Sequence, residues 1–476
     1  MLDHMRRDIA AVALLGVVLV LGGTGMLGVA PDSSVAADAE TNPVCAGTID
    51  RRPAGVTVVS VQGYRFDDGG GHIEPRVIGY APDGSVAWVH HTADRFEDAV
   101  WSYDVDPLGN GTLFLTAAVN RPAWDHGRTL LYELDVRTGE VVWKERLPLW
   151  DTHDADLLDE HRILIANMRN ADPENGTNDE GLVIYNRTSG EDVWRWRLAD
   201  HYPPSVGGNY TEDWSHLNDV DRVEEGLYLA SPRNFDQVIL VNRTTGGIDL
   251  RLGRNGDHAV LQEQHNPTYL ESEDGDPAFL VADSRNDRIV EYERTDDEWA
   301  LTWHLGGPSS LSFPRDADRL PNGNTLIADS SNHRVIEVTP DGEVVWEVFT
   351  PWLTYDVERV PFGDEPGGPT IADQGTSGRQ RISGAAPRTE GTLQACDTHL
   401  ANFETNWSDD AGQGTGPGVS GEGTPSSRDV PEGATQDDVF GVEGTIPAVD
   451  DPRVVAVVAF VAATLLALSA VVVRRR

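Results

Sequence analysis

A tight turn followed by a valine-tryptophan strand recurs along the chain, and this recurrence constrains the fold more than any other feature. It reads Ala81-Pro-Asp-Gly-Ser-Val-Ala-Trp88, Val136-Arg-Thr-Gly-Glu-Val-Val-Trp143, Asn186-Arg-Thr-Ser-Gly-Glu-Asp-Val-Trp194 and Thr339-Pro-Asp-Gly-Glu-Val-Val-Trp346. Asn242-Arg-Thr-Thr-Gly-Gly-Ile is a variant without the tryptophan. Asp-Gly and Thr-Gly supply the positive φ that short hairpins require. The flanking runs, such as Leu131-Tyr-Glu-Leu and Val335-Ile-Glu-Val, have strand character. Upstream of the hairpins stands a second signature, as in His153-Asp-Ala-Asp-Leu-Leu and in Arg315-Asp-Ala-Asp-Arg-Leu-Pro-Asn-Gly-Asn-Thr-Leu-Ile-Ala328. The whole unit returns every ~40 to 50 residues with about four strands, the period of a β-propeller blade.

The expected fold is therefore all-β: a six-bladed propeller over residues 55–372, with seven blades as the alternative. Val56 to His91 holds mainly the outer strands of one blade, and Tyr355-Asp-Val-Glu-Arg-Val-Pro opens like another unit. The simplest closure has that C-terminal strand completing the first blade. No helical hydrophobic period is expected in the region between the apolar termini.

Those termini are unlike the middle. Ile9 to Ala30 and Val454 to Val473 carry no charge, the first preceded by Arg6 and Arg7 and the second followed by Arg474, Arg475 and Arg476. Both are long enough to span a bilayer. Positive flanks stay cytoplasmic, which puts everything between them outside. Residues 1–30 are a membrane anchor or a cleaved signal peptide, and either exports the middle. Residues 31–54 are expected to be a spacer. Residues 373–453 are expected to be an extension and an acidic Gly/Ser/Thr-rich stalk, with 454–473 as the transmembrane helix.

Export gives meaning to the two cysteines. Cys45 and Cys396 bracket the repeats, and a disulfide between them is expected to tie the two ends of the propeller together. Six Asn-x-Ser/Thr triplets (Asn110, Asn175, Asn186, Asn209, Asn242 and Asn406) suit a glycosylated outer surface. The chain has 78 acidic and 37 basic residues, net charge −41, and Lys144 is its single lysine. Nucleic acid is excluded as a partner, because phosphate binding needs a basic patch. An acidic, lysine-poor surface fits a protein adapted to high salt, where counter-ions screen self-repulsion.

Three histidines open successive blades at one register: His153 in Asp151-Thr-His-Asp-Ala-Asp, His216 in Asp213-Trp-Ser-His-Leu-Asn-Asp, and His265 in Glu263-Gln-His-Asn-Pro. Arg233 follows the buried strand of the fourth unit, in Leu229-Ala-Ser-Pro-Arg. A propeller brings such positions together at its axis. Tyr103 and Arg315 stand near the same register in other blades, so sealing a blade does not demand histidine. His90, His91, His258 and His304 have no matching repeat position and are expected to be structural, as are Arg285 and His333 in the strand turns.

This ordered set resembles the arylsulfotransferase family, the bacterial type that works without a nucleotide sulfate donor. The resemblance is carried by the His-Asp unit, Asp-Trp-x-His-x-Asn, Ser-x-Arg and Gln-His, over roughly His153 to Trp346. It implies that His265 carries the sulfuryl group transiently. It implies that His153, His216 and Arg233 hold sulfate oxygens and manage the phenolic proton, with an aryl sulfate and a phenol as small-molecule partners. The chain departs from the family at Asp219, where serine is usual, and at Asn266-Pro267, where an acid often follows. Two other readings stay open: a non-catalytic surface propeller binding a glycan, protein or small anion, and a quinone-dependent dehydrogenase suggested by the Thr-Gly-Glu-Val-Val-Trp repeats. The sequence has no metal-ligand spacing, phosphate loop or nucleophile elbow, and no cofactor or metal is expected.

Overall fold

In the computed structural model, residues 43–65, 74–121, 123–124, 126–405 and 407 are described. Both apolar terminal segments and most of the acidic stalk lie outside these residues. Among the described residues, no helix is long and apolar enough to cross a membrane.

Six antiparallel sheets form the blades of the ring. From the axis outward, blade 1 is Trp352–Arg359, Thr57–Arg65, Arg76–Tyr80 and Val86–His91. Blade 2 runs Ala99–Pro107, Thr112–Val119, Arg128–Asp135 and Val141–Leu147, and blade 3 runs Ala155–Leu157, Arg162–Asn167, Gly181–Asn186 and Glu191–Arg197. Blade 4 is Leu217–Glu224, Leu227–Pro232, Gln237–Asn242 and Ile248–Gly253. Blade 5 is His265–Glu271, Pro277–Asp283, Arg288–Thr295 and Glu298–Gly306; blade 6 is Asp316–Arg319, Thr325–Asp329, Arg334–Val338 and Val344–Phe349.

The ring closes at six because the apolar faces run out of neighbours there. Strand side chains alternate between faces, so adjacent residues serve opposite neighbours. Ile163 packs toward Phe114 and Leu131 of blade 2, while Leu164 packs toward Val220 and Ile239 of blade 4. Blades 4 and 5 share Leu229, Val238, Phe279 and Val290, and blades 5 and 6 share Leu280, Ile289, Ile327 and Ile336. Leu326 and Val335 of blade 6 then meet Val59 and Ile78 of blade 1. The remaining pair, blades 1 and 2, shares Val58, Trp88, Leu115 and Leu130. As expected from the sequence, the C-terminal strand completes the first blade, with Val59 opposite Val357.

The repeated turns serve this ring. Gly84 and Gly342 adopt φ of 80° and 86°, conformations that disfavour a Cβ. The tryptophans staple blades together. Trp346 Nε1 donates to the carbonyl of Pro82 in the blade 1 turn at 3.2 Å. Trp303 donates to Pro340 at 3.0 Å and Trp196 to Gly246 at 2.9 Å, in each case onto the next blade's turn.

Three expectations are corrected. The spacer assigned to 31–54 contains a strand, Ala46–Ile49, which pairs with the outer strand of blade 6. The extension after 373 contributes Gly378–Gln380, a parallel fifth strand on blade 5. It also contains a helix where none was expected, Glu390–Ala401, capped by Thr389 and burying Leu393, Cys396 and Leu400. Twelve residues are too short for a strong sequence period, and the helix is held by tertiary packing. It positions Cys396 for the expected disulfide to Cys45, across a sequence separation of 351.

Candidate functional site

The inner strands of four blades open on a shared pattern: Tyr103-Asp-Val-Asp, His153-Asp-Ala-Asp, Arg315-Asp-Ala-Asp and Tyr355-Asp-Val-Glu. Blade 4 departs from it as His216-Leu-Asn-Asp-Val-Asp, and blade 5 as His265-Asn-Pro-Thr, each with a register shift that absorbs the difference. The first residue of each unit faces one end of the axis. The acids that follow line the channel behind it.

Some of these acids are stitches between blades. Asp356 accepts from the amide of Val105 at 2.9 Å, and Asp316 accepts from Val357 at 3.1 Å. Asp154 accepts from Val220 in the same way, and Thr268 replaces the acid in blade 5 by donating to Ala317 at 3.1 Å. An innermost strand has an unpaired edge, and a buried N–H there needs an acceptor. The surplus of carboxylate is nevertheless large: Asp104, Asp154, Asp219, Asp221, Asp316 and Asp318 enclose one cavity. Burial pushes Asp154 up to about 8 and Asp356 up to about 7, with neighbouring carboxylates adding to the rise. Among the described residues, three trios, Asp104/Asp106/Asp364, Asp154/Asp219/Asp221 and Asp316/Asp356/Glu358, each place one oxygen per residue within 4.8 Å of one another and are the geometric candidates for a cation.

At the other end, the structure brings the histidines expected from the sequence together. The rings of His153 and His216 lie 5.1 Å apart. Tyr355 stands 5.4 Å from His153 and 6.2 Å from His265, so it joins the two. All three histidine side chains are fully buried. Arg233 donates to Asn234 at 3.3 Å and acts electrostatically on both His216 and His265. The backbone of His216 is left-handed, with φ of 44°, and so is that of Asp151, with φ of 58°. Non-glycine residues held there are under strain that the surroundings must maintain.

Two of the three rings are oriented by a hydrogen-bonded partner. His216 Nδ1 lies 2.9 Å from Asp213, and His265 Nδ1 lies 2.8 Å from Ser284. The Ser284 hydroxyl donates onward to the carbonyl of Ala282 at 3.3 Å, so it accepts from His265 Nδ1–H. Both rings are thereby fixed with the proton on Nδ1. Nε2 of His216 and Nε2 of His265 are buried without a hydrogen-bond partner. Burial depresses His265 well below the ordinary imidazole value, reinforced by Arg315 and Arg233. Burial also takes His216 down to about 4, with Arg233 adding and Asp213 opposing. A neutral ring whose lone pair is not taken up by a hydrogen bond is what a nitrogen nucleophile requires.

Several members of the cluster were not expected as site residues. Arg169 bridges Asp151 at 3.1 Å and Asp213 at 3.4 Å. Tyr103 donates to Asp151 at 2.6 Å and packs its ring 4.0 Å from His153. Arg315 stacks over Phe313 and Tyr355, at 5.2 and 5.3 Å. Asp213 stays below the usual carboxylate range: burial pushes it up, but His216, Arg169 and Arg233 outweigh burial. Tyr103, Arg315 and Tyr355 carried a signal, since they occupy the histidine register. Arg169 carried none; it follows the strand Arg162–Asn167 at φ of 51°. Among the remaining histidines, His90 is buried in blade 1 and His258 lies exposed near Asp236. Arg285 pairs with Glu263 at 2.9 Å.

A cleft of about 770 Å³ adjoins the cluster, lined among others by Trp124, His126, Arg128, Trp150, Arg169 and Asp213.

The fold and this cluster define a six-bladed propeller with a buried histidine cluster at one end of its axis. Residues 71–306 match the family model described as Arylsulfotransferase (ASST), so this part of the propeller is similar to that family. No curated protein matches the chain. Among solved structures, it is similar to a putative 6-phosphogluconolactonase from Bacteroides fragilis, with 11% identity and a TM-score of 0.40 over 64% of this chain and 98% of that one. It is also similar to the calcium-binding protein regucalcin from Agrobacterium tumefaciens, with 12% identity and a TM-score of 0.35 over 52% of this chain and 74% of that one. A third is a protein of unknown function from Bacteroides caccae, with 16% identity and a TM-score of 0.30 over 49% of this chain and 72% of that one.

Proposed function

We propose that this chain transfers a sulfuryl group from a phenolic sulfate ester to a phenol through a sulfohistidine on His265. The observation that carries the reading is the unpartnered Nε2 of His265, on a neutral ring, beside His216, His153 and Arg233. In the first half-reaction, Nε2 attacks sulfur. The N–S bond forms as the S–O bond to the aryl group breaks, and the phenolate leaves with the bonding pair. Arg233 and the histidine donors hold the sulfate oxygens, whose charge is spread over three atoms. A bound sulfate ester raises the proton affinity of His216, because an anion favours the charged ring. His216 Nε2 then protonates the departing phenolate. In the second half-reaction His216 takes the proton of the acceptor phenol, whose oxygen attacks sulfur as the S–N bond breaks. Asp213 keeps the His216 ring aligned for both steps.

The reading extends to location. The arginine-flanked apolar termini and the disulfide support an exported, membrane-anchored propeller at high salt, and the exposed Asn110, Asn175 and Asn209 are open to glycosylation. The test is incubation of the full chain with 4-nitrophenyl sulfate and a phenol in concentrated salt. Release of 4-nitrophenol that depends on acceptor, with ping-pong kinetics and a sulfur-labelled His265 peptide, supports the proposal. Binding without turnover by a folded protein would sink it.

A further inference from the structure

Apart from Asp213, the cleft beside the histidines is built from residues that the transfer chemistry does not use. Its walls include Trp124 and Trp150, from the loops Asn120–Gly127 and Pro148–Trp150 on either side of the blade 2 outer strands. Trp150 stacks on His126 with centroids 4.7 Å apart and the planes 23° apart. The Trp150 Nε1 donor is buried without an acceptor. Arg128 and Arg121 lie over Trp124 at 5.0 and 5.2 Å. The two arginines differ in one respect. Arg121 is tied to Asp98 at 2.8 Å, whereas Arg128 has no carboxylate partner among the described residues. Glu212 and Asp213 line the same cleft, yet among the described residues no carboxylate pairs with Arg128, and its guanidinium is left for an anionic ligand.

The cleft is joined to the cluster by shared residues. Arg169 lines the cleft and binds Asp151; Asp213 lines it and orients His216. A ring bound in the cleft therefore has Arg169 and Asp213, which lead to the histidine cluster, and Arg128 among its neighbours. A volume of about 770 Å³ accommodates one substituted aromatic ring with room for water.

We propose that this cleft is the aryl subsite, and that Arg128 makes it selective for rings carrying a second anionic group, such as a phenol with a carboxylate. The proposal rests on the sulfotransferase reading for the identity of the reacting group. Indole walls favour flat rings by stacking, and an unpaired guanidinium adds a charge-assisted hydrogen bond to a carboxylate. Because donor and acceptor exchange places in a ping-pong cycle, one subsite serves both.

The test compares 4-hydroxybenzoate with phenol on the full chain in concentrated salt. Direct binding is read by calorimetry, and acceptor KM is read with 4-nitrophenyl sulfate as donor. We expect 4-hydroxybenzoate to bind about tenfold or more tightly than phenol, the gain of one charge-assisted bond. Arg128→Gln should erase the difference, Arg128→Lys should restore part of it, and Trp150→Ala should weaken both ligands. Equal binding of the two ligands, or a preference that survives Arg128→Gln in a folded protein, overturns the subsite. Turnover with no Arg128 dependence sinks this inference and leaves the transfer reaction standing. A preference that depends on Arg128 but comes with no turnover does the reverse.

Discussion

Ser284 accepts a hydrogen bond from Nδ1 of His265 at 2.8 Å and donates its own hydroxyl hydrogen bond to the carbonyl of Ala282. This two-step relay fixes the tautomer of the ring, and so decides that Nε2 is the atom with the lone pair. A serine at that place does the orienting work that a carboxylate does for His216, without adding a negative charge beside the sulfate that His265 must approach.

His265→Ala should remove both half-reactions, with a loss of at least about a thousandfold in kcat. Ser284→Ala should keep the nucleophile but free its tautomer. We expect kcat to fall about tenfold with KM little changed, the worth of about one hydrogen bond. A stopped-flow assay of 4-nitrophenol release separates the two variants. Full activity in His265→Ala would refute the assignment.

The pH dependence has a definite sign. His216 is held at about 4 and His265 well below the ordinary imidazole value, both mainly by burial, so both rings are neutral at neutral pH. Nucleophilic attack by His265 on the donor should therefore persist as pH falls through the ordinary imidazole range, because that ring stays neutral there. An imidazole of ordinary pKa would lose the reaction near about pH 6.5. Single-turnover rates from pH 4 to pH 8 decide between them.

The channel carboxylates govern stability in the opposite direction. Their folded-state values are raised, so their contribution is full below the unfolded carboxylate range, about pH 4, and is lost as pH rises through the folded values. Asp356 at about 7 and Asp154 at about 8 set the upper end of that window. In dilute buffer the melting temperature should drop between about pH 5 and pH 8, and concentrated salt should reduce the drop by screening. A flat profile in dilute buffer would mean the channel is already neutralised by another route.

Much of this was legible in the chain. Asp-Gly turns, β-branched runs and spaced tryptophans state the blade, because each has a local physical reason. His153, His216 and His265 were legible as a set because a ring converts sequence period into spatial proximity. Other parts were hidden for stated reasons. Ala46–Ile49 is too short and too mixed to announce a strand, and it is paired only because the outer edge of blade 6 is open to it. Arg169 lies outside the repeat register, so no period points to it. The Asp-x-Asp units were visible as a pattern, but their meaning depends on the channel: Asp316 and Asp356 are needed by amides of a neighbouring blade. The disulfide partners were visible because the chain has only two cysteines.

Breaking that disulfide should destabilise the ring without disturbing the cluster. A loop this long implies a loss of about 2–5 kcal/mol on removing the cross-link. Cys45→Ser should melt well below the parent and unfold faster, with kcat unchanged at low temperature. A parent-like melting curve would show that pairing of Ala46–Ile49 and of Trp352–Arg359 already suffices.

The same bond also sets a mechanical path. Cys45 and Cys396 join the chain where it enters the propeller to where it leaves. A pull applied to the two tails therefore runs from one cysteine directly to the other and bypasses most of the chain between them. The blades sit inside a covalent macrocycle that tension on the ends cannot unwind while the sulfurs stay joined. A shearing load on the two ends would reach the bond first and the histidine cluster last.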